Sequence, residues 1–229
     1  MRKYLKNLIT MFVCVGLMLS LSACGDNSGN EGNQKEDKKT QDTFLTREEV
    51  IKNLKNYSFK YSYTFSEKGE TDTITYSDKR TENAWIFSTE GEDAIIFLAN
   101  KDTSSLYMLY PGDKIGTLID LEDDFDSFSG WGTHLFSWYD HAKDFSKKGT
   151  ATVAGRTCNI YEYAFGTLKY SYFIDKEYDL CLKFEITESK NSMKTTFAFT
   201  EFKMGGVTTE EIMAVLEGYE IDDYRVNPN

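Results

Sequence analysis

The chain has 229 residues, of which 26 are lysine or arginine and 37 are aspartate or glutamate, so its formal net charge is −11. A surface of this sign repels phosphate backbones, and we therefore exclude nucleic acid as a partner. Aromatic residues make up 15% of the chain and proline occurs only twice, a composition that favours long uninterrupted strands.

The N-terminal residues follow the plan of an export signal. Three basic residues precede an apolar run from Leu8 to Leu21, which is too short to span a bilayer. The sequence Leu21-Ser22-Ala23-Cys24 resembles the lipobox of bacterial lipoproteins. This resemblance implies that residues 1–23 are removed as a signal peptide and that Cys24 carries a lipid on the outer face of a cell membrane. The alternative is an ordinary signal peptide and a secreted chain.

The segment after Cys24 differs from the remainder in composition. Residues 25–43 contain no aliphatic or aromatic residue, so they cannot bury apolar surface. We therefore predict that residues 24–43 are the lipidated cysteine and a disordered tether, followed by one domain over residues 44–229. Loss of residues 1–23 removes three basic and no acidic residues, which leaves a net charge of −14. That charge keeps the domain soluble, and we expect a monomer.

The domain begins with a short predicted helix and a long predicted strand. Thr46 and Glu49 have the spacing of a capping box, and an apolar stripe follows them. From Tyr57 the period changes to two, because every second residue is aromatic as far as Phe65. This alternation predicts a strand with one aromatic face, formed by Tyr57, Phe59, Tyr61, Tyr63 and Phe65.

Similar strand patterns recur along the domain, with short turn signals between them. The strand patterns lie at residues 74–76, 84–88, 94–99, 105–110, 161–165, 170–174, 180–186 and 197–199. The turn signals are Lys68-Gly69, Ser77-Asp78, Glu90-Gly91, Asn100-Lys101-Asp102, Pro111-Gly112-Asp113, Lys176-Glu177 and Ser189-Lys190-Asn191. Because short turns join antiparallel neighbours, we predict a meander that forms one large curved antiparallel sheet.

Two further helical segments are predicted. Apolar residues recur at spacings near three and four between residues 121 and 145, with an interruption at Gly130-Trp131-Gly132. A short C-terminal helix is predicted to start at Thr208 or Thr209 and to run to about Glu217, before Gly218. The fold class that follows is α+β and mainly β, with a short N-terminal helix, a mid-chain helical insertion and a short C-terminal helix.

The C-terminal strands carry a family resemblance. Residues 172–175, 180–186 and 196–203 resemble the ending of the LolA/LolB-like lipoprotein carrier and receptor superfamily, in which a strand and an acidic turn precede a leucine-lysine strand and an aromatic strand. The resemblance implies an incomplete barrel around an apolar cavity that receives acyl chains, with helices covering its concave face. It implies a ligand-binding set of Tyr57, Phe59, Tyr61, Tyr63, Phe65, Phe128, Trp131, Leu135 and Trp138.

Two features depart from that superfamily. Cys158 and Cys181 are not typical of the carriers, and the long charged tether is more typical of a cell with one membrane, so the shuttle function is not carried over. In a meander the two cysteines lie on strands once removed, about 9.6 Å apart. A disulfide needs Cα atoms within about 6.8 Å, so a strong twist would have to close the gap. A disulfide and two buried free thiols both remain open.

No catalytic or metal-binding motif is complete. His134 and His141 are two helical turns apart, about 10 Å, which is too far for one metal ion. The acidic residues between Asp120 and Asp126 lack the EF-hand spacing, and Ser129 lacks the first glycine of a nucleophile elbow. We therefore predict no metal, no cofactor and no enzymatic activity.

Two functional hypotheses remain. In the first, a membrane-anchored extracytoplasmic lipoprotein binds a hydrophobic or amphipathic ligand, such as a lipid or acyl chain, between the aromatic strand face and the mid-chain helix. In the second, the same aromatic residues fill a solid core, and the domain is an interaction or sensory module with a protein partner. A lined, empty cavity would favour the first hypothesis.

Overall fold

A computed structural model describes residues 44–121, 125, 144–188, 190 and 192–225 of the chain. Gln41–Asn229 form one compact unit with its own core. The predicted signal peptide, Cys24, the tether and nearly all of the predicted mid-chain helical insertion, residues 122–124 and 126–143, lie outside the described residues. Among those residues, no helix has the length and apolar character that a bilayer crossing requires.

The described residues form twelve strands and two short α-helices. Helix α1 (Arg47–Asn53) is followed by β1 (Tyr57–Glu67), β2 (Glu70–Arg80), β3 (Ala84–Thr89), β4 (Ile96–Asn100), β5 (Ser105–Tyr110) and β6 (Ile115–Asp120). The second half contains β7 (Ser146–Val153), β8 (Arg156–Phe165), β9 (Leu168–Asp175), β10 (Cys181–Glu188) and β11 (Met193–Met204). Helix α2 (Thr209–Met213), a 3₁₀ turn (Ala214–Leu216) and β12 (Glu220–Asp223) are the last elements of the described residues.

All twelve strands belong to one open curved sheet, in the order β12-β6-β5-β4-β3-β2-β1-β11-β10-β9-β8-β7. Every neighbouring pair is antiparallel except β12, which lies parallel to β6. Two meanders, β1 to β6 and β7 to β11, meet where β1 pairs with β11. The prediction of a mainly β domain with one large curved sheet is confirmed.

Strand β2 corrects one predicted turn. Ser77 and Asp78 lie inside β2, where they pair with β1 and β3, and the chain reverses instead at residues 81–83. By contrast, Lys68 and Gly69 do form the β1–β2 turn, with φ angles of 51° and 88°. Gly69 has no side chain and adopts its positive φ angle without steric cost. Lys68 is therefore the one strained residue of this turn.

Three strands lacked a clear alternation and were not predicted. Strand β7 is an edge strand with Lys147, Lys148 and Gly149 near its start, and most of its residues are exposed. Strands β6 and β12 complete the opposite edge, where Ile221 packs over Gly116. A Cβ atom at Gly116 would lie 2.5 Å from the Leu109 Cδ2 atom and 2.8 Å from the Ile221 Cδ1 atom, so any side chain at this position would have to displace both neighbours.

The two short helices begin with side-chain caps. The Thr46 backbone N–H donates to the Glu49 carboxylate at 2.7 Å, and the Glu49 N–H donates to the Thr46 hydroxyl at 3.2 Å. The Glu211 N–H likewise donates to Thr208 Oγ1, at the N-cap of α2. These bonds satisfy N–H groups that a helix start leaves without partners.

The sheet has two different faces. On one face, α2 packs against β3 and β4 through a small aliphatic cluster of Ala84, Leu98, Val207 and Ile212. The other face, which we call the aromatic face, carries Tyr57, Phe59 and Tyr61 of β1 and the residues paired with them in β2 and β11. The aromatic face contains most of the large buried side chains.

Candidate functional site

The five predicted binding residues of β1 share the aromatic face but differ in burial. Tyr57, Phe59 and Tyr61 are 2–5% exposed, whereas Tyr63 and Phe65 are half-buried. The remaining predicted binding residues, Phe128, Trp131, Leu135 and Trp138, lie outside the described residues. The face is therefore closed at the start of β1 and more open towards the β1–β2 turn.

A continuous row of rings crosses six neighbouring strands of the aromatic face. Successive ring centres are 5.6, 5.4, 5.2, 5.3 and 6.4 Å apart. These distances are typical of favourable aromatic pairs. We call this set the aromatic row; in order from β3 to β9 its members are Phe87, Tyr76, Tyr61, Phe197, Phe184 and Tyr172.

One acidic side chain interrupts the aromatic face. Asp78 is partly buried, and its partners across the two neighbouring strands are Phe59 on β1 and Phe87 on β3. The Tyr57 hydroxyl donates to its carboxylate at 3.2 Å. Burial raises the pKa of Asp78 to about 7, against the opposing effects of the Tyr57 hydrogen bond and the Arg80 charge. The carboxyl group therefore changes its charge near neutral pH.

A second polar group on this face has no partner. The Tyr61 side chain is 3% exposed, and its hydroxyl makes no hydrogen bond with any residue that the structure describes. Burial raises the pKa of Tyr61 above its ordinary value, and the Asp78 charge acts in the same direction. A buried hydroxyl without a hydrogen bond destabilises the folded state by about 1–3 kcal/mol, so the Tyr61 hydroxyl lowers the stability of the domain.

Two grooves are lined by described residues away from the aromatic row. The larger, about 750 Å³, lies at the β8–β9 hairpin and includes Tyr163 and Leu168. The smaller, about 460 Å³, lies between Asn56, the β2–β3 turn and the start of α2. Neither groove includes a residue of the aromatic row, so neither is the lined cavity on which the ligand-binding hypothesis depends.

The two cysteines do not form the disulfide that the sequence left open. Cys158 and Cys181 are free thiols with no exposed surface, on β8 and β10, and β9 lies between these strands. Burial raises the pKa of Cys158 to about 12 and also raises that of Cys181. Both groups are therefore protonated thiols at neutral pH, which are poor nucleophiles.

Arg156 and Asp175 form an ion pair at the β9–β10 turn. Asp175 is 1% exposed, and Arg156 donates to both of its carboxylate oxygens at 2.9 and 3.0 Å. The backbone N–H groups of Glu177 and Tyr178 donate to the same carboxylate. The Asp175 carboxylate thus accepts four hydrogen bonds, which is typical of a structural group rather than a reactive one.

The predicted absence of a metal site stays a prediction. Among the described residues, no group of three histidine, cysteine, aspartate or glutamate side chains could hold a metal ion. His134, His141 and most of the acidic residues between Asp120 and Asp126 lie outside those residues.

The sequence analysis selected neither Asp78 nor the members of the aromatic row outside β1, and Asp78 was not even assigned to a strand. The signal was present, because Ile74, Tyr76, Asp78 and Arg80 continue a single period of two along β2. Ser77-Asp78 was interpreted as a turn, since both residue types favour turns. The aromatic partners on both sides of Asp78 become visible only when the strand register is known.

Comparisons with known proteins add only distant similarities. No protein-family model and no curated protein matches the chain. Among solved structures, MucB is similar over 72% of this chain and 59% of its own length, with 15% identity and a TM-score of 0.42. The chain therefore spans less than two thirds of MucB.

Two further structures are similar at the same level. An uncharacterized conserved protein from Thermus thermophilus has 9% identity, covers 77% of this chain and 95% of its own, and has a TM-score of 0.44. A LolA superfamily protein from Nitrosomonas europaea has 8% identity, covers 74% and 98%, and has a TM-score of 0.33. Similarity at these scores assigns neither a family nor an activity to the chain.

Proposed function

We propose that this chain is a lipid-anchored protein on the outer face of a cell membrane and that its aromatic face binds a hydrophobic or amphipathic ligand. The aromatic row is the observation that carries the proposal, because it provides an apolar surface that continues across six strands. The lipid anchor rests on the basic start, the apolar run and the residues before Cys24.

The affinity would come from burial of apolar area. Each square ångström of apolar surface removed from water is worth about 25 cal/mol. The rings of the aromatic row are already buried, so a ligand gains this energy only where the aromatic face is half-buried or where the rings move apart to admit it. The half-buried end at Tyr63 and Phe65 is the point of entry in this proposal.

A second candidate function is a protein-binding module with a filled core. Burial of the row favours it: Tyr61, Tyr76 and Phe197 are each no more than 4% exposed, and the two grooves lie elsewhere. Buried aromatic residues are the ordinary content of a β-domain core. The two candidates differ in one respect, since only the first requires that the row can accommodate a ligand.

Native mass spectrometry of residues 25–229, which contain the whole compact unit, tests the first candidate. We expect a co-purifying apolar molecule at one copy per chain, identified after denaturing extraction. Tyr61→Ala should abolish its retention because Tyr61 is central to the row. Phe165→Ala is the matched control, since Phe165 is 57% exposed at the β8–β9 turn and should leave the ligand bound.

Two results would contradict ligand binding. One is a clean mass of the free chain that does not change when fatty acids or long-chain alcohols are added. The other is equal loss of ligand in Phe165→Ala and Tyr61→Ala with both variants folded by circular dichroism. Either result would favour the protein-binding module.

A further inference from the structure

The two edges of the sheet carry charges of opposite sign. Strand β7 lies at one edge and β12 at the other, and each has a single neighbouring strand among the described residues. Strand β7 contains Lys147 and Lys148 and no acidic residue, whereas every residue of β12 except Ile221 is acidic. An edge strand presents N–H and C=O groups that can pair with a strand of another molecule. The charges determine which strand each edge would accept.

Three of these charged side chains have no ionic partner within the described part of the chain. Lys148 lies where the β7–β8 ladder skips one residue, and it forms no ion pair with a described acidic residue. Glu220 and Asp222 likewise form no ion pair with a described lysine or arginine, whereas Arg225 binds Asp223. These three groups can therefore pair with charges of another molecule.

The two edge strands run in the same direction. Strand direction alternates at each of the ten steps from β7 to β6, and β12 is parallel to β6, so β12 is also parallel to β7. A second copy that is displaced along the sheet therefore places its β12 beside β7 as a parallel pair. In this arrangement the aromatic faces of the two copies lie on the same side.

The opposite charges also lie on one face. Lys147 pairs with Tyr161, which in turn pairs with the last member of the aromatic row, and the Lys147 Nζ atom lies 5.8 Å from the Tyr161 ring centre. Asp222 is on the same face, because cross-strand partners connect it to Phe87 of the row, and Glu220 is two residues from Asp222 on the same strand. Side chains on one face of neighbouring strands interact directly.

Charge disfavours the two symmetric arrangements. Pairing of β7 with a second β7 would place the lysines of both copies in one interface, and pairing of two β12 strands would do the same with acidic side chains. Like charges on adjacent strands are destabilising. Only the pairing of β7 with β12 places opposite charges across the junction.

We infer that copies of this chain associate head to tail, with β7 of one copy paired in parallel with β12 of the next. Such a contact is heterologous, so every assembly has an unpaired β7 at one end and an unpaired β12 at the other, and the sheet can continue. The interface comprises a few residues of each strand, so the association is weak and reversible. The inference is independent of ligand binding, because neither edge strand contributes to the aromatic row.

Sedimentation velocity of residues 25–229 at low salt tests the inference at concentrations up to about 1 mM, the range of weak complexes. We expect a concentration-dependent series of species. The association constant should fall about tenfold between about 20 and 500 mM salt, because the ion pairs across the junction are screened. The acidic net charge predicts the reverse for a nonspecific contact, since salt would then reduce repulsion between copies.

Two charge-reversal variants identify the edges involved. Lys147→Glu with Lys148→Glu makes both edges acidic, and Glu220→Lys with Asp222→Lys makes both edges basic. Each variant alone should stay monomeric, although the second has a smaller net negative charge than wild type. An equimolar mixture of the two should associate again, because each edge of one variant complements an edge of the other.

The matched control is Lys68→Glu with Lys190→Glu, which changes the net charge by the same amount as the β7 variant. Lys68 lies between β1 and β2 and Lys190 between β10 and β11, so both exposed residues are far from the two edges in strand order. The control should associate within about threefold of wild type at moderate salt. Circular dichroism verifies that each variant is folded.

Four results would overturn the inference. A wild-type chain that stays monomeric at low salt would leave the two edges to a different partner. Association that strengthens with salt would indicate a nonspecific contact, and a series that stops at the dimer would indicate a symmetric one. A mixture of the two reversal variants that stays monomeric while wild type associates would show that the contact lies elsewhere on the surface.

Discussion

At the scale of single residues, Asp78 and Asp175 show how burial affects a carboxylate in two ways. Asp175 accepts hydrogen bonds from Arg156 and from two backbone N–H groups. Asp78 accepts one hydrogen bond, from Tyr57, and burial raises its pKa to about 7. The two carboxylates differ in the number of hydrogen bonds that they accept. Because the pKa of Asp78 is raised by folding, its protonation and the stability of the domain are coupled.

Asp78→Asn should change the pH dependence of stability. The pKa of Asp78 is higher in the folded chain than the ordinary value of about 3.9 in the unfolded chain, so the folded state binds more protons between these values. The wild-type free energy of unfolding therefore falls as pH rises from about 4 to 7. The variant should gain about 2 kcal/mol over wild type between about pH 5 and 8, measured by urea unfolding. Parallel curves for the two proteins would contradict this.

At the scale of elements, the turn between β9 and β10 connects distant parts of the chain. Asp175 ends β9 and binds Arg156 at the start of β8. The Leu45 N–H donates to the Asp179 carboxylate at 2.8 Å, across 134 residues of sequence. The turn thus fixes the start of β8 and the residues before α1 at one end of the sheet.

Arg156→Met should destabilise the fold by about 3 kcal/mol, because it leaves Asp175 buried with its charge unbalanced. Lys55→Met is the matched control: the Lys55–Glu82 pair is largely exposed, with 61% and 71% of the two side chains accessible, and its removal should cost about 0.5 kcal/mol or less. Chemical denaturation of both variants measures the two values. Equal losses of unfolding free energy in the two variants would show that the buried Arg156–Asp175 pair contributes no more to stability than the exposed Lys55–Glu82 pair.

At the scale of the whole molecule, the predicted anchor and the folded unit are separate parts of one chain. The residues that resemble a lipobox lie before residue 25, and the compact unit begins at Gln41. We therefore expect the domain to fold without the predicted anchor, whose expected role is to determine where the domain is held. Folding of the domain and its attachment to a membrane can therefore be tested independently.

Cys24→Ala should release the protein from membranes without changing the domain. An alkyne-labelled fatty acid fed to the cells should label the wild-type chain and not the variant, and the variant should appear in the soluble fraction after cell lysis. Cys158→Ala is the control, because Cys158 is a buried free thiol and should leave labelling unchanged. Labelling that survives Cys24→Ala would contradict the anchor.

Sequence patterns predicted the centre of the sheet better than its edges. The alternation of Tyr57, Phe59 and Tyr61 defines the aromatic face because central strands bury one face. Strand β7 lacks such a pattern, since its residues are mostly exposed at an edge. Asp78 was missed for another reason: its residue type favours turns, and its position in a strand depends on pairing with β1 and β3.

The pairing of β1 with β11 determines when the chain can fold. This pair joins residues that are 128 to 147 positions apart, from Ser66 with Lys194 to Tyr57 with Met204, and it unites the two meanders. Contacts of such long range form slowly because a large loop must close first. The sheet therefore cannot be completed until nearly the whole chain has been synthesised. Late completion of the sheet is compatible with the predicted export, because a secretion channel transports extended polypeptides.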